Sequence, residues 1–321
     1  MKRLVLILAC LAMAFSSATV FAQSGKGKGG KPLAVAGTFG DLGNPFFFTM
    51  AKGVESAAKK IDPNAKVTVL SAGYDLNTQV GQMETFIASG VDIIILGAAD
   101  TQGIGPVVKK AKAAGIIVVA EDVNADGGVD ATITSNNFQA GEQGGQYIAK
   151  RLNGKGNVVI VNGPPVSAVT DRVAGAKKAF AQFPGIKILS DGQNAGGNRE
   201  GGLAVMTDLL TAFPKIDAVF AINDPTGIGC DLAIKQAKRQ KEMFVVGVDG
   251  APDAQVALAD KSSTFAASSS QDPFTMAFRG VQIAYDVMKG KAPKDKLVLI
   301  PVTLITRDNL ASYKGWTKPT N

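Results

Sequence analysis

From Pro32 onward, short apolar and β-branched runs alternate with longer segments whose apolar positions recur at helical spacing. The runs LAVAGT (33–38), KVTVLSA (66–72), DIIILGA (92–98), IIVVAE (116–121), NVVIVNG (157–163), IKILSD (186–191), DAVFAIN (217–223), MFVVGVD (243–249) and TFAASSS (264–270) predict strands. Between them, PFFFTMAKGVESAAKK, TQVGQMETFIAS and QAGEQGGQYIAKRL predict helices. Near-continuous apolar strands separated by helices predict parallel sheets covered on both faces, the α/β class. So many strands suit two similar α/β units better than one very wide sheet. The break is expected after the fourth strand and its extension ATITSN (131–136), with a second series starting at Phe138. No long Pro- or Ser-rich linker marks it, so short crossings are expected to join the units, and short crossings favour a hinge.

In open α/β sheets, ligands bind outside the carboxyl ends of the strands, so the residues that close each apolar run matter most. Asp122 follows IIVVAE, Asn223 and Asp224 follow DAVFAI, Asp249 closes MFVVGVD, and Gln271 and Asp272 follow TFAASSS. Asp and Asn are also common turn and cap residues, so each alone reads first as a structural residue. As a set they do more. Asp122 and Asp249 can each accept two hydrogen bonds from adjacent hydroxyls, Asn223 and Gln271 can both donate and accept, and Arg172 donates as a planar fork.

The stretch DLGNPFFFTM adds aromatic surface beside them. Asn44 is placed to cap a helix with Pro45 in its first turn, and Phe46, Phe47 and Phe48 then sweep about 200° of its surface. Phe48 is expected in the core, and Phe46 and Phe47 at the sheet rim as a flat wall. Converging hydroxyl-gripping groups and rings suit a neutral polyhydroxylated ligand.

The segment ahead of Pro32 changes how charge and cysteine are read. Lys2 and Arg3 precede the apolar run LVLILACLAMAF, and Val20, Phe21 and Ala22 have the form of a cleavage site, so residues 1–22 are expected to be a secretory signal peptide. Residues 23–31 are expected to be a flexible Gly/Lys tail. Cys10 leaves with the signal, and Cys230 alone in the mature chain permits no intrachain disulfide. The formal charge of +7 is carried mostly by the same segment: without Lys2, Arg3, Lys26, Lys28 and Lys31, 29 basic residues face 27 acidic ones.

Several segments taken in order, GNPFF, the Glu121-Asp122 pair, TDRVAGAKKAF, LLTAFPKIDAVFAINDPTGIG, VVGVDGAPDA and SSSQDPFTMA, resemble the periplasmic sugar-binding proteins of the ribose-binding type, along nearly the whole mature chain. The resemblance implies a type I periplasmic binding protein fold: two Rossmann-like lobes joined by a three-crossing hinge, residues 32–135 with 272–300 and residues 136–271 with 301–321. It implies a monomeric periplasmic component of an ABC importer, closing on one sugar and delivering it to the permease membrane subunits. By position, the ligand contacts would be Asn44, Phe46, Phe47, Asp122, Arg172, Asn223, Asp249 and Gln271. Val123 stands where the ribose-type pattern has an arginine, Gly197 where it has an aromatic residue, and the inserted GDLG brings Asp41 toward the site. Val123 and Asp41 therefore join the candidates, and the departures point to a pentose other than ribose, a hexose, or an open-chain sugar alcohol. A sensor presenting its ligand to a chemotaxis or signalling receptor would use the same binding chemistry.

Other classes fit less well. Without histidine there is no Ser-His-Asp or Cys-His pair and no His-ligated metal, so no catalytic residue, metal or cofactor is expected. Cys230 lies in the apolar run IGCDLAI, the setting of an inert buried thiol. Nothing local marks Asp122 or Asp249 as an acid with a raised pKa, as carboxylate-pair hydrolysis would need. GKGKGGKP fails as a phosphate loop, since Pro32 replaces the metal-binding hydroxyl and the glycines precede the first strand. A sugar-sensing repressor would carry a helix-turn-helix ahead of this core, where this chain has an export signal, so no nucleic-acid partner is expected.

Overall fold

The computed structural model describes residues 26–316. The expected signal peptide, residues 23–25 of the expected tail, and residues 317–321 lie outside the described part. In chain order the elements are β1 (Ala34–Phe39), α1 (Pro45–Ile61), β2 (Lys66–Ser71), α2 (Leu76–Ala88), β3 (Ile93–Leu96), α3 (Gly105–Ala113), β4 (Ile117–Glu121) and β5 (Ala131–Ser135). A second series follows: α4 (Asn137–Arg151), β6 (Lys155–Val161), α5 (Ser167–Ala181), β7 (Gly185–Ser190), α6 (Arg199–Ala212), β8 (Ala218–Ala221), α7 (Asp224–Gln236), β9 (Phe244–Asp249), α8 (Pro252–Ala259) and β10 (Phe265–Ser270). The chain closes with α9 (Pro273–Met288), β11 (Leu297–Ile300) and β12 (Thr303–Thr306).

Two six-stranded sheets result, ordered β11-β5-β4-β3-β1-β2 and β12-β10-β9-β8-β6-β7. Pairing is parallel except that β12 runs antiparallel to β10. Central strands have no polar face: every residue of β3 and β8 is buried, because helices cover both sides of each sheet. The chain passes between the sheets after β5, after β10 and between β11 and β12. α9 returns to pack on α1 and β4 of the first sheet. Among the described residues no helix is long and apolar enough to cross a membrane.

Strands β11 and β12 were not among the expected ones. They share the run LVLIPVTLIT, which has no turn signal except Pro301, so local pattern shows one stretch where the fold places two strands on different sheets. The tail also differs from its expectation. Lys28 donates its backbone N–H to Asp92 Oδ1 at 3.1 Å and its ammonium to Gly115 O at 2.5 Å, so residues 26–31 are tied to the bottom of the first sheet.

The phenylalanine row requires a correction. Phe46 and Phe47 are buried at 3% and 7% exposure, whereas Phe48 is 54% exposed, the opposite of a Phe48 in the core. The reason is helical phase. The buried stripe of α1 runs through Phe47, Met50, Val54, Ala57 and Ala58, and Phe48 lies about 100° beyond it. There Lys52, one turn on, sits over its ring at 5.4 Å.

Candidate functional site

Strand ends of both sheets meet across one cleft, whose lining includes residues that close or directly follow β1, β3, β4, β8, β9 and β10. On the first side, Asn44 caps α1 by accepting the Phe46 N–H at 3.0 Å, which aims the first turn of the helix at the cleft. Phe47 stacks on Phe39 at 6.2 Å and meets Phe46 at 5.4 Å and Tyr74 at 5.9 Å edge-on. Phe46 is backed by Trp316 at 5.8 Å. Phe46, Phe47 and Tyr74 therefore pack against one another and also line the cleft, with Trp316 of the second lobe behind Phe46.

The second wall is polar. Arg172 of α5, 4% exposed, donates Nε to Asn137 Oδ1 at 2.8 Å and Nη1 to Ile222 O at 2.9 Å. That clamp points its fork at two carboxylates, with Nη1 3.6 Å from Asp249 Oδ1 and Nη2 3.9 Å from Asp122 Oδ1. Both separations exceed hydrogen-bond length, so the fork faces the acids without being consumed by them. Gln271 donates Nε2 to Asp249 Oδ1 at 2.7 Å, and Asn223 donates Nδ2 to Gly197 O at 2.8 Å. The buried oxygens Asp122 Oδ1 and Gln271 Oε1 have no hydrogen-bond partner in the protein.

Asp122 follows β4 and Asp249 ends β9, the same place in the two sheet orders. Both have a left-handed backbone, φ 66° and 138°, which costs energy outside glycine and is common where geometry serves a site. Thr134 Oγ1 donates to Asp122 O at 2.6 Å, and Trp316 Nε1 donates to Asp249 O at 2.8 Å, holding the two turns in place.

Burial pushes the Asp122 carboxyl up to about 6 against the pull of Arg172. Asp249 is raised well above the ordinary range, first by burial and further by Asp224 and Asp122, while Arg172 and Gln271 oppose the rise. Asp224, held by Ser268 and the Ala251 N–H, is raised to about 6, chiefly by burial. Glu121, behind the cleft, is raised by burial and then by Asp122. Nothing local in the sequence marks Asp122 or Asp249 in this way, because the rise comes from desolvation, which local sequence does not report.

Asn44, Phe46, Phe47, Asp122, Val123, Arg172, Asn223, Asp249 and Gln271 all line this cleft. Asp41 does not: it accepts the Gly43 N–H at 2.8 Å and lines an adjoining chamber. The free space is tight in the cleft, about 50 Å³, and wider in the adjoining chamber, about 430 Å³. Asn44, Tyr74 and Gly197 line both and form the threshold between them. Tyr74 escaped the sequence reading. It sits at φ 59° between the end of β2 and the cap residue Asp75, and the only local signal was an aromatic residue at a strand-end turn. Trp316, remote in sequence from every other member, carried no signal at all.

A family model described as a periplasmic binding protein domain matches residues 35–292. A ribose import binding protein of Bacillus subtilis is 32% identical over 279 residues, covering 86% of this chain and 88% of that protein. A xylitol-binding protein of Mycolicibacterium smegmatis is 33% identical over 269 residues, covering 82% and 75%. Among solved structures, an ABC transporter periplasmic solute-binding protein of Actinobacillus succinogenes with bound D-allose superposes with a TM-score of 0.80 at 30% identity, covering 88% of this chain and 100% of that one.

Proposed function

The chain belongs to the periplasmic binding protein family, a family of binding proteins, and on that premise we propose that it is the solute-binding component of an ABC importer, capturing a carbohydrate or polyol between two lobes. The relatives' named ligands, ribose, xylitol and D-allose, are an aldopentose, an alditol and an aldohexose. What they share is a run of adjacent hydroxyls.

The observation that carries the reading is Arg172, rooted on the second sheet's side, facing Asp122 of the first lobe and Asp249 of its own. In this reading Asp122 and Asp249 accept from neighbouring hydroxyls, Arg172 donates, and Asn223 and Gln271 do both. Phe46, Phe47 and Tyr74 lie against the C–H face. Residues 32–135 with 272–300 move as one body against 136–271 with 301–321, about the crossings near residues 136, 271 and 301. A ligand gripped from both sides stabilises the closed form by its differential affinity for it, and that form is what the permease recognises. The chain then works as a monomer in the periplasm, exported by its N-terminal signal, and performs no covalent step.

A thermal-shift panel of aldoses, alditols and cyclitols, followed by small-angle scattering with the best binder, tests this. At least one member should raise the melting temperature and reduce the radius of gyration. No shift across the panel, or an unchanged radius at saturation, overturns it.

A further inference from the structure

The charges around the cleft do not balance. Its lining has two carboxylates, Asp122 and Asp249, and one cation, Arg172. Immediately behind them lie two more buried acids, Glu121 and Asp224, with no further cation. The residue after Asp122 is the apolar Val123, itself in the lining. The adjoining chamber continues the trend, with Asp41, Glu200, Asp224 and Asp253 against Arg199, which is already paired with Asp253 at 2.6 Å.

Hydrogen bonding is unbalanced in the same direction. The buried cleft atoms without a partner, Asp122 Oδ1 and Gln271 Oε1, are both acceptors. Arg172 cannot serve them better, because Asn137 and Ile222 fix its Nε and Nη1 and leave Nη2 3.9 Å from Asp122. A ligand hydroxyl would satisfy one orphan acceptor and leave Asp122 sharing the single guanidinium with Asp249. An ammonium group supplies three donors and the missing charge together, and the rings of Phe46, Phe47 and Tyr74 in the same lining favour a cation near their faces.

We propose that the ligand carries a protonated amine beside its hydroxyls, as an aminated sugar, alditol or cyclitol, with the ammonium held by Asp122 Oδ1 and the remaining hydroxyls by Asp249, Arg172, Asn223 and Gln271. This rests on the polyol-binding reading and narrows it. Asp122 is faced by Glu121 on its own strand, Arg172 from α5, Asp249 from β9 and Tyr74 after β2, and Arg172 is the single cation of the set.

Calorimetric titration of the purified protein at pH 7 with matched pairs tests it: glucosamine and glucose, 1-amino-1-deoxysorbitol and sorbitol, an aminodeoxyinositol and inositol, each amine also in its N-acetylated form. In the pair that binds, the amine should be about tenfold tighter than its hydroxyl partner, and N-acetylation should erase the gain. At pH 5, where Asp122 takes up a proton, the advantage should shrink. In Asp122→Asn the ratio within the pair should fall to about twofold or less, whatever the absolute affinities. If the hydroxyl member binds as tightly as the amine, or the advantage survives in Asp122→Asn, this inference is overturned and the polyol reading stands. If no member of any pair binds, this inference is overturned, and the wider panel of aldoses, alditols and cyclitols decides the polyol reading.

Discussion

The two sheets have the same strand order and place an aspartate at the same point of that order, yet they build different walls. The first wall is mostly carbon: Phe47 is continuous with its lobe's core through Phe39 and meets Phe46 and Tyr74 edge-on, while Phe46 also reaches Trp316 of the second lobe. The second is mostly a hydrogen-bonded frame, in which Asn137 and Ile222 O hold Arg172 and Gln271 holds Asp249. Packing stabilises the first wall whether or not a ligand is present. The second keeps Asp249 and the Arg172 guanidinium out of water 3.6 Å apart, with Asp122 of the first lobe 3.9 Å from the same guanidinium, so the three are stable only as a set.

Breaking the set should have the largest effect. Arg172→Ala leaves Asp122 and Asp249 buried without a cation, and about 3–5 kcal/mol of stability should be lost near neutral pH. Denaturant melts should show the deficit narrowing as the pH falls and the acids protonate. An equal deficit at pH 5 and pH 8 would mean that Arg172 contributes by packing alone.

The aromatic wall gives the next test. Phe47→Ala should cost about 3 kcal/mol of stability in the empty protein, because the ring belongs to the core, and should weaken ligand binding as well. Loss of affinity with an unchanged melting temperature would place Phe47 with the polar wall in kind.

Protonation separates the walls further. A carboxyl whose pKa is higher folded than unfolded binds its proton more tightly in the native state, so stability falls as pH rises between the two values. For Asp122, raised to about 6, the window runs from roughly pH 4 to 6 and the change is on the order of 3 kcal/mol. Asp224 and Asp249 act in the same sense. The ligand-free protein should therefore melt higher at pH 5 than at pH 7.5, and Asp122→Asn should flatten the profile. A ligand-free melting point that rises over that interval would contradict the assignment.

The smallest effect belongs to Phe48, exposed beside the wall with Lys52 over its ring. Phe48→Ala should change stability by within about 0.5 kcal/mol and leave affinity unchanged. A large loss of either would put the ring in an interface that the isolated chain does not contain.

Much of the site was legible because it follows a positional rule. Asn44, Asp122, Asn223, Asp249 and Gln271 close or follow apolar runs, and the carboxyl ends of those runs converge in any open α/β sheet. Arg172 had no such positional rule behind it, since a helical arginine carries no mark of burial, and it entered for its forked donors and through the family resemblance. Tyr74 and Trp316 were missed because one sits in a turn and the other near the chain end. Asp41 was drawn in by its nearness to Asn44, but the turn it closes points it into the adjoining chamber.

By itself the sequence determined the alternation of strands and helices, the two series, and the rim positions where function concentrates. Those follow from side-chain periodicity, a property of a few neighbouring residues. Tertiary structure decided that Phe48 faces water while Phe47 does not, that LVLIPVTLIT divides between two sheets, and that Asp122 and Asp249 share one arginine. It also set their charge. The pKa of an acid depends on the water and partners within a few ångströms, and these are supplied by strands and helices that lie far apart along the chain.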